Sequence, residues 1–515
     1  LPPSPNKWLI TASVMIPTLI EVLDTSVANV ALKHIQGSLS AGQEEVTWVL
    51  TSYLVANAVI IPMSGWLARV FGRKRYLLAS LGVFTAASLL CGAATSLTQL
   101  IVFRIVQGIG GGGLQPMSQA ILLETFPPRE RGLAMGVYGM GVVVGPILGP
   151  LLGGWLTDTA SWRWIFYINL PMGLIALAMI TANVFDPPYQ LRRERTEKVD
   201  YLGLTLLCLG IGCLQIVLDK GQQDDWFESS FILLLTVISA VSLILLVWWE
   251  LRHDNPIINL RIFKDRSFAI GNTVMYLGFF AFFGSVVLLP LFLQNLMGYT
   301  AFRAGLVLGP GGAVTLLMLP LIGRATERID ARLLLAVGLL VNAYSLYYMA
   351  GFNLEIGFFH GILGRTLQGI GMPFFFVSLT YLTMAWVPRE QMNNASAIFN
   401  LLRNLGGSFG VAFITTFLAR RSQLHHLRLG EHMTLLNPGF SFRLEELKAS
   451  LALKLGGLAD QTQAALGLIY RELNRQAAAL AFSDVFLYQA LIFLFLAGLV
   501  VIIPRTPLGR RPGAH

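Results

Sequence analysis

Charge is scarce in this sequence. Asp, Glu, Lys and Arg together make up 13% of its 515 residues, where soluble domains carry about 25%. The shortage argues against a soluble globular chain. Cysteine is scarcer still: Cys91, Cys208 and Cys213, all inside apolar runs. They support neither a disulfide framework nor a Cys/His metal site. No nucleophile–base pair, metal-ligand spacing or phosphate loop stands out, so neither an enzyme nor a cofactor is expected. What abounds is hydrophobic residues, at 55%, in runs of the roughly 20 residues that cross a bilayer. The net charge of +9 does not point to nucleic acid, because the basic residues sit in short loops between those runs. That pattern sets membrane orientation. The first run is long enough to span, so it reads as a membrane helix and not as a cleavable signal.

The chain therefore reads as an all-α polytopic membrane protein with fourteen spans. Six come first, at about 8–32, 47–69, 76–95, 98–124, 132–156 and 163–185. Two follow at 201–219 and 230–250. The last six are 268–293, 301–323, 331–352, 357–386, 394–418 and 483–504. One set of short loops is basic: Arg69, Arg73, Lys74 and Arg75; Arg129 and Arg131; Arg192, Arg193, Arg195 and Lys198. It continues with Arg252, Arg261, Lys264 and Arg266, then Arg324, Arg328 and Arg332, and the tail residues Arg505, Arg510 and Arg511. The opposite loops hold only Lys33, Arg163, Lys220 and Arg303. The basic set marks the cytoplasmic side, and both termini then lie there. The long segment 419–482 has eight basic residues yet falls outside; long segments cross largely regardless of charge.

The chain repeats itself. FRIVQGIG at 103–110 returns as GRTLQGIG at 364–371, so Arg104 matches Arg365 and Gln107 matches Gln368. Pro62 and Gly65 match Pro320 and Gly323. The offsets are 258–261 residues. Two six-span halves related in this way form a parallel repeat, with spans 7 and 8 inserted between them. The expected domains are 1–185, an inserted pair with its linkers at 186–267, a second half at 268–504 including the outer segment, and a tail at 505–515.

Several motifs carry a family likeness. GWLARVFGRKR at 65–75 resembles the loop signature of the major facilitator superfamily, in which Gly65, Gly72 and Arg73 match. FRIVQGIGGGG, with Arg104, Gln107 and Gly108, resembles its fourth-span signature. GVVVGPILGPLLGG at 141–154 resembles the fifth-span signature of its antiporters. LDTSVANVAL at 23–32 and the fourteen spans resemble the drug:proton antiporters of that superfamily. The resemblance implies a major facilitator fold of two six-helix bundles plus an inserted helix pair. It also implies proton-coupled export of lipophilic or amphipathic compounds across a bacterial inner membrane by alternating access; export of one specific endogenous metabolite and a non-transporting membrane sensor or scaffold are the alternatives. Through one branch of the family, the resemblance further implies a periplasmic adaptor and an outer-membrane channel as partners, docked by 419–482. A lid without a partner is the alternative for that segment. One departure is plain: Arg69 replaces the family's usual Asp, which puts an inner charge lock in doubt. Glu327 stands at the repeated position and reads more simply as a solvated loop charge.

Physical reading gives these motifs content. Gly141, Gly145, Gly149 and Gly153 recur every four residues and make a ridge without side chains; Pro146 and Pro150 bend it. The ridge is expected to seal the interface between the halves in one state, with ordinary small-residue packing as the alternative. Gly108, Gly110 and Gly113 satisfy GxGxxG, but they lie in an apolar helix and not after a strand, so they read as packing glycines. Segment 251–268 is expected to form an interfacial helix capped by Asn255. His425, His426 and His432 are expected at the surface.

Two acids lie within the first span. A carboxylate at mid-bilayer costs about 2.5–3.5 kcal/mol on insertion scales. Glu21 and Asp24 are three residues apart, hence on one helix face, and are expected to carry the transported proton opposite the buried cation Arg104. The alternative is a structural clamp. In the second half no acid mirrors Asp24, and Tyr276, Phe279, Phe280 and Phe283 are expected to offer an apolar wall to substrate, unless they face lipid.

Overall fold

The structure, a computed structural model, describes residues 6–186, 200–455 and 461–504, the side chains at 146–147, 150–151, 301–302 and 453–455 excepted. Among the described residues it is helical with no strand. The first half holds α1 (Lys7–Ser38), α2 (Gln43–Phe71), α3 (Arg73–Ala93), α4 (Leu97–Gly111), α5 (Leu114–Thr125), α6 (Arg131–Thr159), α7 (Trp164–Tyr167) and α8 (Asn169–Asn183). The inserted pair is α9 (Tyr201–Lys220) and α10 (Ser230–Arg252). The second half holds α11 (Arg266–Leu291), α12 (Ala301–Ala325), α13 (Ala331–Ala350), α14 (Phe358–Met384), α15 (Met392–Gly430), α16 (Pro438–Leu455) and α17 (Gln461–Leu499).

Each expected span coincides with one of these helices or with a broken pair. The fourth span is α4 and α5, and the sixth is α7 and α8. Helix starts follow local chemistry. The side chains of Asn6, Ser96, Asp265, Thr300 and Asp330 each accept a hydrogen bond from a backbone N–H in the first turn of the helix they precede, satisfying donors that the helix leaves open.

Two expectations fail. Segment 251–268 is not an interfacial helix: α10 ends at Arg252, and only a short 3-10 turn, Leu260–Lys264, follows. Asn259, not Asn255, caps that turn. The reason is burial. Ile257 and Ile258 are sunk into the core, and a helix lying flat at a surface could not bury them beside Pro256. The second failure concerns His425 in the outer segment, which is itself helical. α15 runs unbroken to Gly430 and α17 starts as early as Gln461, so 419–482 is largely the continuation of two spans with α16 between. Polar contacts explain the persistence: Arg421 donates to the Tyr488 hydroxyl at 2.8 Å, and His425 lies 2.9 Å from Asp484. His425 is therefore a paired, largely buried ring and not a surface histidine; His432 is exposed. At 39 residues and about 1.5 Å per residue, α15 is roughly twice as long as a bilayer core of about 30 Å is thick.

The halves pack by matching rules. α1 lies on α6 as α11 lies on α15, and α2 on α4 as α12 on α14. The halves meet closely at the basic end. A Cβ added to Gly65 would sit 2.9 Å from the Asn394 Cα, and one on Gly323 would sit 2.8 Å from the Leu133 Cα. The end of α2 thus rests on the start of α15, and the end of α12 on the start of α6. Lys7 pairs with Glu130 and Arg332 donates to the Ile503 carbonyl, so both described ends of the chain lie on this face. The basic residues expected at 192–198 and 505–511 lie outside the described residues. α9 fills a slot between the halves: Thr51 of α2 donates to Asp219, and Gln215 donates to Ser408 of α15 at 3.1 Å.

Candidate functional site

Asp24 and Arg104 form one closed cluster. An Arg104 Nη1 lies 2.6 Å from Asp24 Oδ2, and both side chains are almost wholly buried. Gln107 Nε2 donates to Asp24 Oδ1 at 2.9 Å, and Asn169 Nδ2 donates to the same oxygen at 2.7 Å. Ser88 accepts from both amides. Arg104 Nε donates to the Val49 carbonyl at 3.0 Å, and its guanidinium lies 4.2 Å from the Tyr53 ring centroid. Five spans of the first half converge on one ion pair. Burying two opposite charges is offset only by close contact and added hydrogen bonds, and this pair has both.

Glu21 lies one turn away in a separate setting. It accepts from Asn57 Nδ2 at 3.1 Å, from the Tyr53 hydroxyl at 3.4 Å, and from Gln115 Nε2. Gln115 links it to Arg403, while Arg104 is bonded to Asp24. Arg403 reaches from α15 of the second half and donates to the far end of Gln115. The sequence marks Arg403 as an intramembrane cation but leaves it without a role. Gln115, Asn57, Ser88 and Asn169 were missed, although each is a polar residue inside an apolar run.

The repeat is legible in the second half, with one member changed. Arg365 donates to Gln368, and Gln368 Nε2 donates to Ser285 at 2.6 Å. Among the described residues no carboxylate pairs with Arg365, and its Nε has no partner. Arg365 and Gln368 line a cavity of about 110 Å3 between the halves, with Phe279, Phe282, Phe283 and Phe376 of the second half and Val142 and Val143 of α6. Phe279 and Phe283 thus face a cavity and not lipid. Tyr276 and Phe280 do not line it: the first meets Phe409 edge-on and the second lies tilted against Phe413, both of α15.

In this conformation the glycine ridge packs as the alternative has it. Gly145 faces α1, where an added Cβ would lie 2.9 Å from the Val22 carbonyl carbon; Gly141, Gly149 and Gly153 face Met15, Ser26 and Val27. The ridge packs within the first half and does not seal it to the second. The contact between halves uses Gly132, Gly136 and Gly139, which face Gly323, Leu319 and Phe376. Nine residues separate Gly132 from Gly141, about 180° around a helix at 3.6 residues per turn. The two glycine sets therefore occupy opposite faces of α6. Pro146 lies among the side chains outside the description.

The loop signature ties the basic end together. Gly72 has φ +88°, a region side chains rarely adopt, and this lets α2 turn directly into α3. Arg73 pairs with Glu124 at 2.8 Å, both nearly buried. Arg69 donates to the Pro256 carbonyl at 2.9 Å, and so reaches the linker after the inserted pair. Glu327 is exposed, as a solvated loop charge should be. Gly108 is a packing glycine, with the Tyr53 carbonyl 2.6 Å from where its Cβ would stand. Among the described residues no group of His, Cys, Asp and Glu is placed to hold a metal.

The profile of the Major Facilitator Superfamily matches residues 14–410. The chain belongs to the major facilitator superfamily. It is a transporter of that superfamily and not an enzyme. It is 39% identical over 511 residues to the multidrug export protein EmrB of Haemophilus influenzae, covering 97% of this chain and 96% of that one. It is equally 39% identical over 511 residues to the fatty acid resistance protein FarB of Neisseria gonorrhoeae, covering 98% and 97%. Among solved structures, the proton:xylose symporter XylE superposes with a TM-score of 0.60 at 15% identity, covering 97% of this chain and 96% of that one. The human organic anion transporter MFSD10 superposes with a TM-score of 0.59 at 14% identity, covering 95% and 100%. At such identity these two speak for the major facilitator fold alone.

Proposed function

We propose that this major facilitator is a proton-coupled exporter of lipophilic and amphipathic compounds, working by alternating access. The observation that carries the reading is the buried Asp24–Arg104 pair at 2.6 Å. It puts an ionisable group inside an apolar bundle. Burial and a second acid nearby favour the protonated form of a carboxylate, and an adjacent cation favours the ionised form. Asp24 touches Arg104, and Glu21 is linked to Arg403 through Gln115, so a shift of the helices that moves either arginine changes the surroundings of a carboxylate. Asp24 is the proton carrier, with Glu21 beside it and Gln107 and Asn169 holding its orientation.

The second half takes the substrate. Phe279, Phe282, Phe283 and Phe376 supply the apolar wall, and Arg365 supplies a cation with no acid opposite. That chemistry suits lipophilic compounds bearing an anionic group. The cavity is smaller than the roughly 300–1,000 Å3 of sites that hold drug-sized ligands, so loading requires the halves to part. The relatives named for multidrug export and fatty acid resistance support the substrate class.

In this reading the protein sits in a bacterial inner membrane with its basic end and both termini cytoplasmic. Residues 1–185 and 268–504 are the rocking halves, 186–267 contributes the inserted pair and its linkers, and 505–515 is a tail. The stalk made by α15, α16 and α17 projects on the other side. There it docks a periplasmic adaptor that leads to an outer-membrane channel. Reconstitution into liposomes with an imposed pH gradient tests the reading. Substrate must accumulate against its gradient only when the opposite proton gradient is present. Equal transport without the gradient rejects proton coupling.

A further inference from the structure

We propose that Arg403 is the counter-charge of Glu21 across the interface, and that Gln115 joins them into a latch which protonation of Glu21 releases. The proposal rests on the proton-exchange reading and adds the contact through which a proton moves the halves. Glu21 belongs to α1 and Arg403 to α15, so the link runs from one half to the other. Gln115 of α5 turns its nitrogen to the carboxylate and its oxygen to the guanidinium. A carboxamide so placed aligns its dipole between an anion and a cation. All three side chains are buried.

The surrounding charges leave these two for each other. Facing Glu21 are Asp24 on its own helix, Tyr53 on α2 and Tyr138 on α6, with Arg403 as the cation. Asp24 is neutralised by Arg104 at 2.6 Å. Among the described residues no cation lies within 4.0 Å of Glu21 and no carboxylate within 4.0 Å of Arg403. Apart from Gln115, Arg403 meets only neutral groups, the Asn404 side chain at 3.4 Å and the Tyr138 hydroxyl.

The same seam carries a second bond set. Gln119, one turn after Gln115, accepts from Ser396 at 2.7 Å and from Asn400 at 2.6 Å. Ser396, Asn400 and Arg403 fall at i, i+4 and i+7, on one face of α15. The seam between α5 and α15 is thus polar deep in the membrane, and a single proton changes its charge balance. With Glu21 ionised, the latch holds the halves as they stand here, in contact at the basic end. With Glu21 neutral, Arg403 is left as a buried charge without a counter-charge, a costly state that parting of the halves relieves. In an exporter whose basic end faces the cytoplasm, a proton arriving from outside would then open the inner side.

The test uses the full-length protein in lipid nanodiscs, with its native cysteines changed to serine. Spin labels at Arg129→Cys and Glu327→Cys report the distance across the basic end by double electron–electron resonance. In the parent the short-distance population falls as pH drops, by up to about tenfold per pH unit for a one-proton switch. Glu21→Gln and Arg403→Ala should flatten that response, and Arg403→Lys should restore part of it. If Arg403→Ala does not fold, Gln115→Leu is the substitute and should flatten it too. A parental pH response in these variants overturns the latch. Substrate-driven proton exchange, measured on the parent in parallel, separates the two ideas: its absence rejects the exchange reading, while unchanged pH profiles in the variants reject the latch alone.

Discussion

Ser285 stands in the second half where the repeat places Asp24 in the first. Gln368 donates to Ser285 at 2.6 Å as Gln107 donates to Asp24 at 2.9 Å. The scaffold of arginine, glutamine and first-helix partner is kept, and only the charge of the partner is removed. One consequence is a neutral pair in the first half and, among the described residues, an Arg365 with no carboxylate beside it in the second. A site with an internal counter-ion can exchange a proton; a site without one can accept an anion.

Arg365→Gln is therefore expected to lower transport of anionic amphiphiles by about tenfold or more, since hydrogen bonds to charged groups contribute about 1.5–3 kcal/mol. Neutral lipophilic substrates should be little affected. Competition uptake in proteoliposomes with paired anionic and neutral probes checks this. An equal loss for both classes would mean that Arg365 is a structural residue.

The Asp24–Arg104 pair should also be visible in stability. Removing one partner of a buried pair costs about 3–5 kcal/mol, so Arg104→Gln should lower the melting temperature markedly in detergent. The double variant Arg104→Gln/Asp24→Asn should lose less than the sum of the two single losses, because contacting residues couple. Strictly additive losses would show that the two side chains act independently.

Gly145 gives a packing test. With the Val22 backbone only 2.9 Å from an added Cβ, Gly145→Leu must push α6 off α1. Overpacking of this kind costs about 1–3 kcal/mol. The variant should insert in the membrane, melt earlier and transport poorly. Parental melting and transport would show that the α1–α6 contact is slack.

The fold was legible because apolar runs, caps and the internal repeat act locally and all agree. Asp24, Arg104 and their closeness were legible because charge inside a span needs a partner. The partner of Glu21 was not legible, because it comes from α15, 382 positions along the chain, and is reached through Gln115. The direction of the glycine ridge was also hidden. Its spacing reveals a bare face, but α6 carries bare faces on both sides, and only packing decides which neighbour takes which. The linker after α10 misled because Pro256 suits a helix start, while burial of Ile257 and Ile258 overrode that local preference.

The stalk carries its own prediction. Leu435, Leu436 and Phe442 are 74%, 93% and 74% exposed at its turn and on α16, where water-facing apolar side chains suit a partner surface. Changing the three to Ser should abolish co-purification with a periplasmic adaptor and leave transport by the isolated protein intact. Retained co-purification would place the docking surface elsewhere.

The most direct measurement of the central claim is substrate-induced proton release from the purified protein in weakly buffered detergent near neutral pH. Binding of an anionic lipophilic substrate should release protons from the parent protein. Asp24→Asn should bind the same substrate and release markedly fewer protons. Undiminished release from Asp24→Asn would contradict Asp24 as the proton carrier.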